Sequence, residues 1–425
     1  MRVLTISPCA LSISVAAALL AACGGSQPPV GTAGAMPQQE SPIVMTHTHM
    51  RRNLRELPFK VLGSLRPTDG EHPDAGLVNV HGTFYGTTSD GDGKGCYGSN
   101  GCGTVFSVST VGSVKVLHQF RSGSDGNHPY APLIDVNGTL YGTTTQGGSS
   151  GGCCGTVYRI STTGSERVIY SFKAGSDGSY PTAGLINVKG TLYGTTAYGG
   201  SGCGGYGCGT VYSISTKGAE RVLHSFTGGS DGSTPQAGLL NVDGTLYGAT
   251  YLGGSKRCYG GNGCGAIFSI DTKGAEKVLY SFKGTPDGAY PIADLISVNG
   301  ILYGTTSQGG FHNYGTAYSI SVAGAEKVLH RFGHGSDGWS PQASLINVNG
   351  TLYGTTWQGG TSNNGTIYRM STTGVESVSH SFTGGPGGGE PDGAWINVNG
   401  TLYSTSTYGG VGPKTCCGTV FAFSP

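Results

Sequence analysis

Residues 185–200 read LINVKGTLYGTTAYGG, and residues 345–360 repeat the phrase almost unchanged as LINVNGTLYGTTWQGG. The phrase contains a short alternating apolar segment, a two-residue turn and a second segment rich in Thr and Tyr. In most repeats the turn is Asn-Gly or Asp-Gly, which suits a type I′ hairpin, so the phrase predicts two antiparallel strands. Its Tyr recurs about every 53 residues, at Tyr85, Tyr141, Tyr193, Tyr247, Tyr303, Tyr353 and Tyr403.

Two further phrases recur with the same period. Gly-Thr-Val-Tyr and its relatives begin at Gly103, Gly155, Gly209, Gly265, Gly315, Gly365 and Gly418. Val-Leu-His-Ser-Phe and its relatives begin at Val61, Val116, Val168, Val222, Val278, Val328 and Val378. Each repeat therefore contains four short predicted strands, which we name A to D, and the first two form the hairpin described above.

Four antiparallel strands per repeat are typical of a β-propeller blade. The first phrase of the repeat region is a strand D and the last is a strand C. The N-terminal strand can therefore complete the last sheet and close a ring, which removes the free edges of a linear array. The sequence predicts an all-β, seven-bladed β-propeller over residues 56–425, closed by the N-terminal outer strand joining the C-terminal blade. A linear β-solenoid is the alternative, but it would need caps, and none is recognisable.

The composition excludes several classes of protein. Of 425 residues 80 are Gly, and only 11% are charged. Each Gly costs roughly 1 kcal/mol in a helix interior, which argues against a helical bundle. Lys and Arg (24) balance Asp and Glu (23), whereas nucleic-acid-binding proteins carry a basic excess. We therefore expect no nucleic-acid partner.

The N-terminal residues have the features of a targeting signal. An apolar stretch ends in Leu20-Ala21-Ala22-Cys23, which resembles a bacterial lipoprotein signal and is too short to span a membrane. The resemblance implies a signal peptide at residues 1–22, lipidation of Cys23 and a membrane contact through the lipid. Residues 23–55 are predicted to be a flexible tether. We expect an exported lipoprotein of the outer membrane or cell surface, with a periplasmic position or an ordinary secretory signal as alternatives.

The repeat itself resembles the GloVer-type tandem repeat of bacterial proteins with varied surface anchors. The phrases at residues 185–200 and 345–360 carry the resemblance, which covers essentially all of residues 56–425. It implies an exported, surface-attached repeat domain and brings no established activity with it.

Ten cysteines fall in the B–C loops as five close pairs. Their presence or absence by pairs predicts disulfides inside single loops, which export makes chemically reasonable. A redox switch and metal binding are the alternatives, although zinc sites usually combine such pairs into fours. The predicted pairs are Cys96–Cys102, Cys153–Cys154, Cys203–Cys208, Cys258–Cys264 and Cys416–Cys417.

The B–C and D–A connections are expected on one face, because successive strands alternate in direction. The positions after strand B vary among repeats and are rich in aromatic and amide side chains, which suit a sugar or a protein surface. The D–A connections add Tyr130, Tyr180 and Tyr290 to this face. The alternative is packing between blades. The candidate ligand-binding residues are Asp90, Gln146, Tyr198, Tyr251, Gln308, Trp339, Trp357, Gln358 and Tyr408.

Residues that recur in many blades are expected to serve the fold. The Asp of the Ser-Asp-Gly phrase, as in Asp125 and Asp337, is foremost a turn residue. The strand D histidines, such as His118 and His330, are expected to pack. We assign no catalytic residue, no metal ligand and no cofactor from the sequence.

These observations favour a monomeric, non-enzymatic recognition module for a glycan or a partner protein. Two alternatives stay open. One is an exported propeller enzyme of the lactonase, glycosidase or lyase class, suggested by Asp90, Asp92 and Glu390, which break the repeat pattern. The other is a structural surface repeat protein.

Overall fold

The computed structural model describes residues 58–91, 96, 101–149, 152–333, 335–410 and 417–425. The described part of the chain, the compact unit Pro58–Pro425, forms seven four-stranded antiparallel sheets arranged in a ring and one two-stranded ladder. The prediction of a seven-bladed β-propeller is confirmed. The predicted signal peptide, Cys23 and tether lie outside the described residues, as does Asp92.

The strands follow the repeat closely. In chain order they are β1 (Phe59–Ser64), β2 (Val78–Val80), β3 (Thr83–Thr88), β4 (Thr104–Val108), β5 (Val114–Gln119), β6 (Ile134–Val136), β7 (Thr139–Thr144), β8 (Thr156–Ser161), β9 (Glu166–Ser171), β10 (Ile186–Val188), β11 (Thr191–Thr196), β12 (Thr210–Ser215), β13 (Glu220–Ser225), β14 (Leu240–Val242), β15 (Thr245–Thr250), β16 (Ala266–Asp271), β17 (Glu276–Ser281), β18 (Gly288–Ala289), β19 (Ile296–Val298), β20 (Ile301–Thr306), β21 (Gln308–Gly309), β22 (Thr316–Ser321), β23 (Glu326–Arg331), β24 (Ile346–Val348), β25 (Thr351–Thr356), β26 (Thr366–Ser371), β27 (Glu376–Ser381), β28 (Ile396–Val398), β29 (Thr401–Ser406) and β30 (Thr419–Phe423). Single 3-10 turns lie at Gly123–Asp125, Gly175–Asp177, Tyr259–Gly261 and Gly385–Gly387.

Blades 1 to 6 each consist of one repeat's strands A to D, from β2–β5 in blade 1 to β24–β27 in blade 6. In blade 5 these strands are β19, β20, β22 and β23, because β21 pairs with β18 in the separate ladder. Neighbouring A strands, such as β10 and β14, contact one another, so strand A is innermost. The A–B turn has the backbone that the sequence predicts. Its first residue has φ between 50° and 54° and its Gly has φ between 78° and 88° in all seven blades, as a type I′ turn requires.

Blade 7 is closed by the two ends of the repeat region. Strand β1 pairs antiparallel with β30, with Phe59 opposite Phe423 and Ser64 opposite Thr419. The sheet therefore runs β28-β29-β30-β1, and the predicted closure is confirmed. Phe59 also stacks on His380 of blade 6, with ring centroids 3.9 Å apart, so the closing strand joins two blades.

The core lies between neighbouring blades. In one such cluster Tyr141 and Phe172 of blade 2 pack with Leu192 and Tyr212 of blade 3. A Cβ added at Gly194 of strand B would lie 2.6 Å from the Tyr212 hydroxyl oxygen. The Gly of the Thr-Leu-Tyr-Gly phrase, which six of the seven repeats carry, therefore allows the close approach of a buried aromatic ring.

Four of the five predicted disulfides are present: Cys96–Cys102, Cys153–Cys154, Cys203–Cys208 and Cys258–Cys264. The fifth predicted pair includes Cys416, which lies outside the described residues. Disulfides of this kind indicate an oxidising, extracytoplasmic environment. Among the described residues, no helix has the length and apolar character needed to cross a membrane.

Candidate functional site

Each D–A connection ends in a tripeptide with Pro at its centre. It lies at the inner edge of the propeller face that carries the B–C and D–A connections, which we call the loop face. The seven residues before the proline all have φ between 53° and 59°, an uncommon backbone conformation for residues other than Gly. Their carbonyl groups accept hydrogen bonds of 2.9–3.1 Å from the residue that follows strand B. We call these residues the pre-proline ring, and they are His72, His128, Tyr180, Thr234, Tyr290, Ser340 and Glu390.

The residues that follow the proline before blades 1, 2 and 7 lie close to one another. The hydroxyl of Tyr130, which precedes blade 2, contacts the carboxylate of Asp392, which precedes blade 7, at 3.5 Å. These two residues come from blades that are not neighbours, so their side chains reach across the mouth of the central channel. The equivalent residues are Asp74, Tyr130, Thr182, Gln236, Ile292, Gln342 and Asp392.

Two carboxyl groups at this mouth have strongly raised pKa values. Asp74 accepts hydrogen bonds from the hydroxyls of Ser89 (2.9 Å) and Thr407 (3.0 Å). Burial raises its pKa to about 6, against the opposing effects of His72 and the two hydroxyls. Burial, with the charge of Asp74, raises the pKa of Asp392 to about 8. Both aspartates are partly buried, so solvent still reaches them.

A third aspartate next to them is held ionised by two histidines. Asp90 contacts Nδ1 of His72 at 2.9 Å and Nδ1 of His128 at 3.3 Å. Burial opposes ionisation of Asp90, but the hydrogen bonds from His128 and His72 outweigh it and lower its pKa to about 2. The hydrogen bond to Asp90 raises the pKa of His72. Burial lowers the pKa of His128, but Asp90 and the Ser89 carbonyl outweigh it, so the net shift is also upward.

These residues form a polar sector of the mouth, contributed by blades 7, 1 and 2. At neutral pH Asp392 retains its proton while Asp90 is ionised, so the sector offers both a hydrogen-bond donor and acceptors. Glu390 lies in the same sector, and burial raises its pKa. The ring of Tyr408 lies 5.1 Å from that of His72 and adds an exposed aromatic face.

An aromatic sector lies on the other side of the ring, in blades 3 to 5. Tyr180 and Tyr198 pack edge to face with centroids 5.5 Å apart, and Tyr251 and Tyr290 lie 4.9 Å apart. Burial, together with Tyr290 and Tyr198, raises the pKa of Tyr251, so the two pairs are neighbours. Tyr198 and Tyr251 lie in B–C loops and are only half-buried, so part of each ring is exposed to solvent.

The structure brings some of the predicted binding residues together and leaves others apart. Asp90 and Tyr408 lie in the polar sector, and Tyr198 and Tyr251 lie in the aromatic sector. The remaining candidates, Gln146, Gln308, Trp339, Trp357 and Gln358, occupy the loops of blades 2, 5 and 6. In all seven blades the second residue after strand B makes the same antiparallel bridge to the D–A connection. The bridged pairs are Asp90–Glu71, Gln146–Asn127, Tyr198–Ser179, Leu252–Ser233, Gln308–Ala289, Gln358–Trp339 and Tyr408–Gly389.

The sequence reasoning missed His72, Asp74 and His128 and gave no role to Asp392. A signal was present, because the two columns flanking the constant proline vary in an otherwise repetitive sequence. A varied position within a constant repeat indicates a role other than folding.

A ring of seven near-identical blades with one varied, asymmetric mouth defines a tandem-repeat propeller protein. The sequence profile of the Gloeobacter/Verrucomicrobia repeat matches residues 50–261 and 203–421, and the chain belongs to this family. The resemblance to the GloVer-type repeat is thereby confirmed.

The chain is similar to several solved structures at low sequence identity. A puromycin hydrolase is 10% identical with a TM-score of 0.49, over 81% of this chain and 52% of that one, so this chain spans about half its length. A gluconolactonase from Xanthomonas campestris is 12% identical (TM-score 0.41, 86% and 91% covered). The β-propeller domain of the Trilobed protease from Pyrococcus furiosus is 11% identical (TM-score 0.42, 82% and 95% covered). No curated protein sequence matches the chain.

Proposed function

We propose that the protein is an exported, surface-anchored recognition module that binds a glycan at the mouth of its central channel. The observation that carries the proposal is the aromatic sector, in which Tyr198 and Tyr251 present ring faces beside the channel. Aromatic faces pack against the apolar faces of sugar rings. Lipidation at Cys23 would tether the propeller to the outer membrane or cell surface, and the disulfides support export.

The polar sector complements this role. Sugar hydroxyls need hydrogen-bond acceptors and donors on the side opposite the stacking surface. Ionised Asp90 supplies acceptors, and Asp392 with its retained proton supplies a donor. Because the pre-proline ring is fixed by backbone hydrogen bonds, little conformational entropy is lost when a ligand binds.

Replacement of Tyr251 or Tyr198 by Ala is expected to weaken glycan binding at least tenfold, because either change removes a stacking face. The measurement is binding of the oxidised propeller to immobilised bacterial and plant polysaccharides, followed by titration calorimetry with the best binder. Tyr206, which is 71% exposed in the B–C loop of blade 3, gives the matched control Tyr206→Ala. Equal affinities of Tyr206→Ala and Tyr251→Ala would contradict the proposal, and binding to no polysaccharide would favour a protein partner.

A second candidate is an exported hydrolase or lyase. The specific observation is the separation of two carboxyl pKa values within one sector, about 2 for Asp90 and about 8 for Asp392. Such a separation assigns a base and an acid in general acid–base catalysis.

If this candidate is correct, a panel of chromogenic glycosides and lactones will show turnover that Asp392→Asn reduces at least a hundredfold, the typical contribution of a general acid. Tyr206→Ala should retain full turnover. A panel without turnover leaves recognition as the supported function.

A further inference from the structure

A second group of polar side chains recurs on the outer rim, far along each blade from the channel. The fifth residue of a strand D lies beside the Asp of the following Ser-Asp-Gly phrase and beside the first residue of strand D in the next blade. Five junctions between blades combine a His or Tyr, an Asp and a Glu in this way. We call them junction triads, and they are His118–Asp125–Glu166, Tyr170–Asp177–Glu220, His224–Asp231–Glu276, Tyr280–Asp287–Glu326 and His330–Asp337–Glu376.

The aspartates do serve the turn, as the sequence predicts, but only with part of each carboxylate. Asp125 accepts a backbone hydrogen bond from Arg121 at 2.9 Å, and Asp337 accepts one from Gly333 at 2.5 Å. The histidine then meets the same carboxylate, with Nε2 of His118 3.2 Å from Oδ1 of Asp125. The corresponding distance from His330 to Asp337 is also 3.2 Å.

One carboxylate oxygen of each triad glutamate is buried without a hydrogen-bond partner. Oε1 of Glu166 and of Glu376 is fully buried and has no hydrogen-bond partner, as is the case at the other three triads. Burying such an atom without a partner is costly, so each instance calls for a proton, a water or an ion. The neighbouring aspartate is a second carboxylate, so either a proton held between the two carboxyl groups or a cation bound by both would satisfy them.

The Tyr triads link the two carboxylates through a hydroxyl, although Oε1 of the Glu is without a hydrogen-bond partner there as well. The hydroxyl of Tyr170 donates toward Asp177 at 2.5 Å and lies 3.2 Å from an oxygen of Glu220. It therefore bridges the two carboxylates. The His triads lack this bridging hydroxyl and place an imidazole nitrogen there instead, which is a metal ligand when neutral.

The Glu occurs only at the junctions where the other two triad members are present. At the junction where Gly387 replaces the Asp, Phe59 occupies the place of the Glu and stacks on His380. At the junction where Gly63 replaces the His or Tyr, Val114 occupies the place of the Glu. The Glu is thus found at the five junctions that carry both other members, so the three side chains occur as a set.

We propose that His118–Asp125–Glu166 and His330–Asp337–Glu376 each bind a divalent transition-metal ion, with Zn²⁺ as the reference ion. In both triads one ligand atom from each residue lies within 4.8 Å of the others, so small side-chain movements bring all three to the roughly 2 Å that Zn²⁺ requires. Imidazole nitrogen and carboxylate oxygen are both ligand types that Zn²⁺ accepts, and three protein ligands leave a position for water. An open cleft of ≈ 720 Å³ lined by His118, Asp125 and Arg121 gives access to the first site.

The third His triad does not share this geometry. Asp231 is turned toward Thr227, whose backbone and hydroxyl donate to it at 2.8 and 2.6 Å. Nε2 of His224 consequently lies 3.6 Å from the nearer Asp231 oxygen. This triad therefore serves as a control within the same chain.

The test is titration of the full oxidised chain with ZnCl₂ after removal of metal with EDTA, read by calorimetry and by metal content. Wild type is expected to bind two equivalents more than His118→Tyr/His330→Tyr, and each single variant one fewer than wild type. Tyr restores the triad found at two other junctions, so these variants should fold. His224→Tyr should retain wild-type uptake.

Two results would overturn the proposal. One is equal Zn²⁺ uptake by wild type and His118→Tyr/His330→Tyr. The other is loss of uptake in His224→Tyr to the same extent as in His118→Tyr. If a tyrosine variant fails to fold, Glu166→Gln and Glu376→Gln replace it. Each Gln should weaken one site at least tenfold while leaving the unfolding temperature in EDTA unchanged or higher, and unchanged affinity would contradict the assignment.

Discussion

A chain that begins at Arg66, and so lacks β1, is expected to lose most of its stability. Removing β1 leaves β30 as an open edge of blade 7 and deletes the Phe59 ring, which packs on His380, Phe382 and Phe421. Loss of the partly buried Phe59 ring alone costs up to about 3 kcal/mol, and the strand's ladder to β30 is lost in addition. We expect aggregation or an unfolded last blade, seen as a lower unfolding temperature and altered gel filtration.

The matched control is a chain that begins at Leu54 and keeps β1, which should unfold like the full propeller. Phe59→Ala provides a milder variant that still forms the ladder, with an expected loss of up to about 3 kcal/mol because the ring is only partly buried. If the chain from Arg66 unfolded at the same temperature as the chain from Leu54, the closing strand would not stabilise the ring.

Asp392→Asn is expected to remove a large part of the pH dependence of stability. The folded-state pKa of Asp392 is raised from 3.8 to about 8, so the folded chain keeps a proton that the unfolded chain releases. Stability therefore falls as pH rises from about 4 to about 8. Asn has the same shape, cannot ionise and still accepts the Tyr130 hydroxyl. The unfolding temperature of the variant, relative to wild type, should rise across this window and level off above it.

The measurement is thermal unfolding of both proteins in EDTA between pH 4 and pH 9. The junction glutamates, with pKa values raised to about 7 by burial, titrate in both proteins and cancel in the difference. Because solvent reaches Asp392, the effect will be smaller than the full pKa shift implies. Asp243→Asn, in a hairpin turn where other repeats carry Asn, is the control. A difference between Asp392→Asn and wild type that stays constant with pH would contradict the assignment.

Features that repeat along the chain could be predicted from the sequence, because their causes are local. The Asn-Gly turns set the hairpins, and paired cysteines within one loop set the disulfides. The order of the end phrases set the closure of the ring. Each of these depends on residues a few positions apart or on the count of repeats, which the sequence displays directly.

The channel mouth could not be predicted in the same way. Tyr130 and Asp392 are separated by 262 residues and meet only because the ring brings the segments before blades 2 and 7 to one axis. The junction triads were missed for a related reason. His118 and Asp125 belong to one repeat and were assigned to packing and to a turn, whereas Glu166 comes from the next blade.

The position of β1 also determines how the propeller bears mechanical load. A surface tether would attach just ahead of Phe59, so tension from it enters the ring through the outermost strand of blade 7. Strand β1 is held by its ladder to β30 and by the stack of Phe59 on blade 6, and force must break both before another blade is disturbed. The pairing of β1 with β30 that closes the ring is therefore also the contact that tension on the tether would break first.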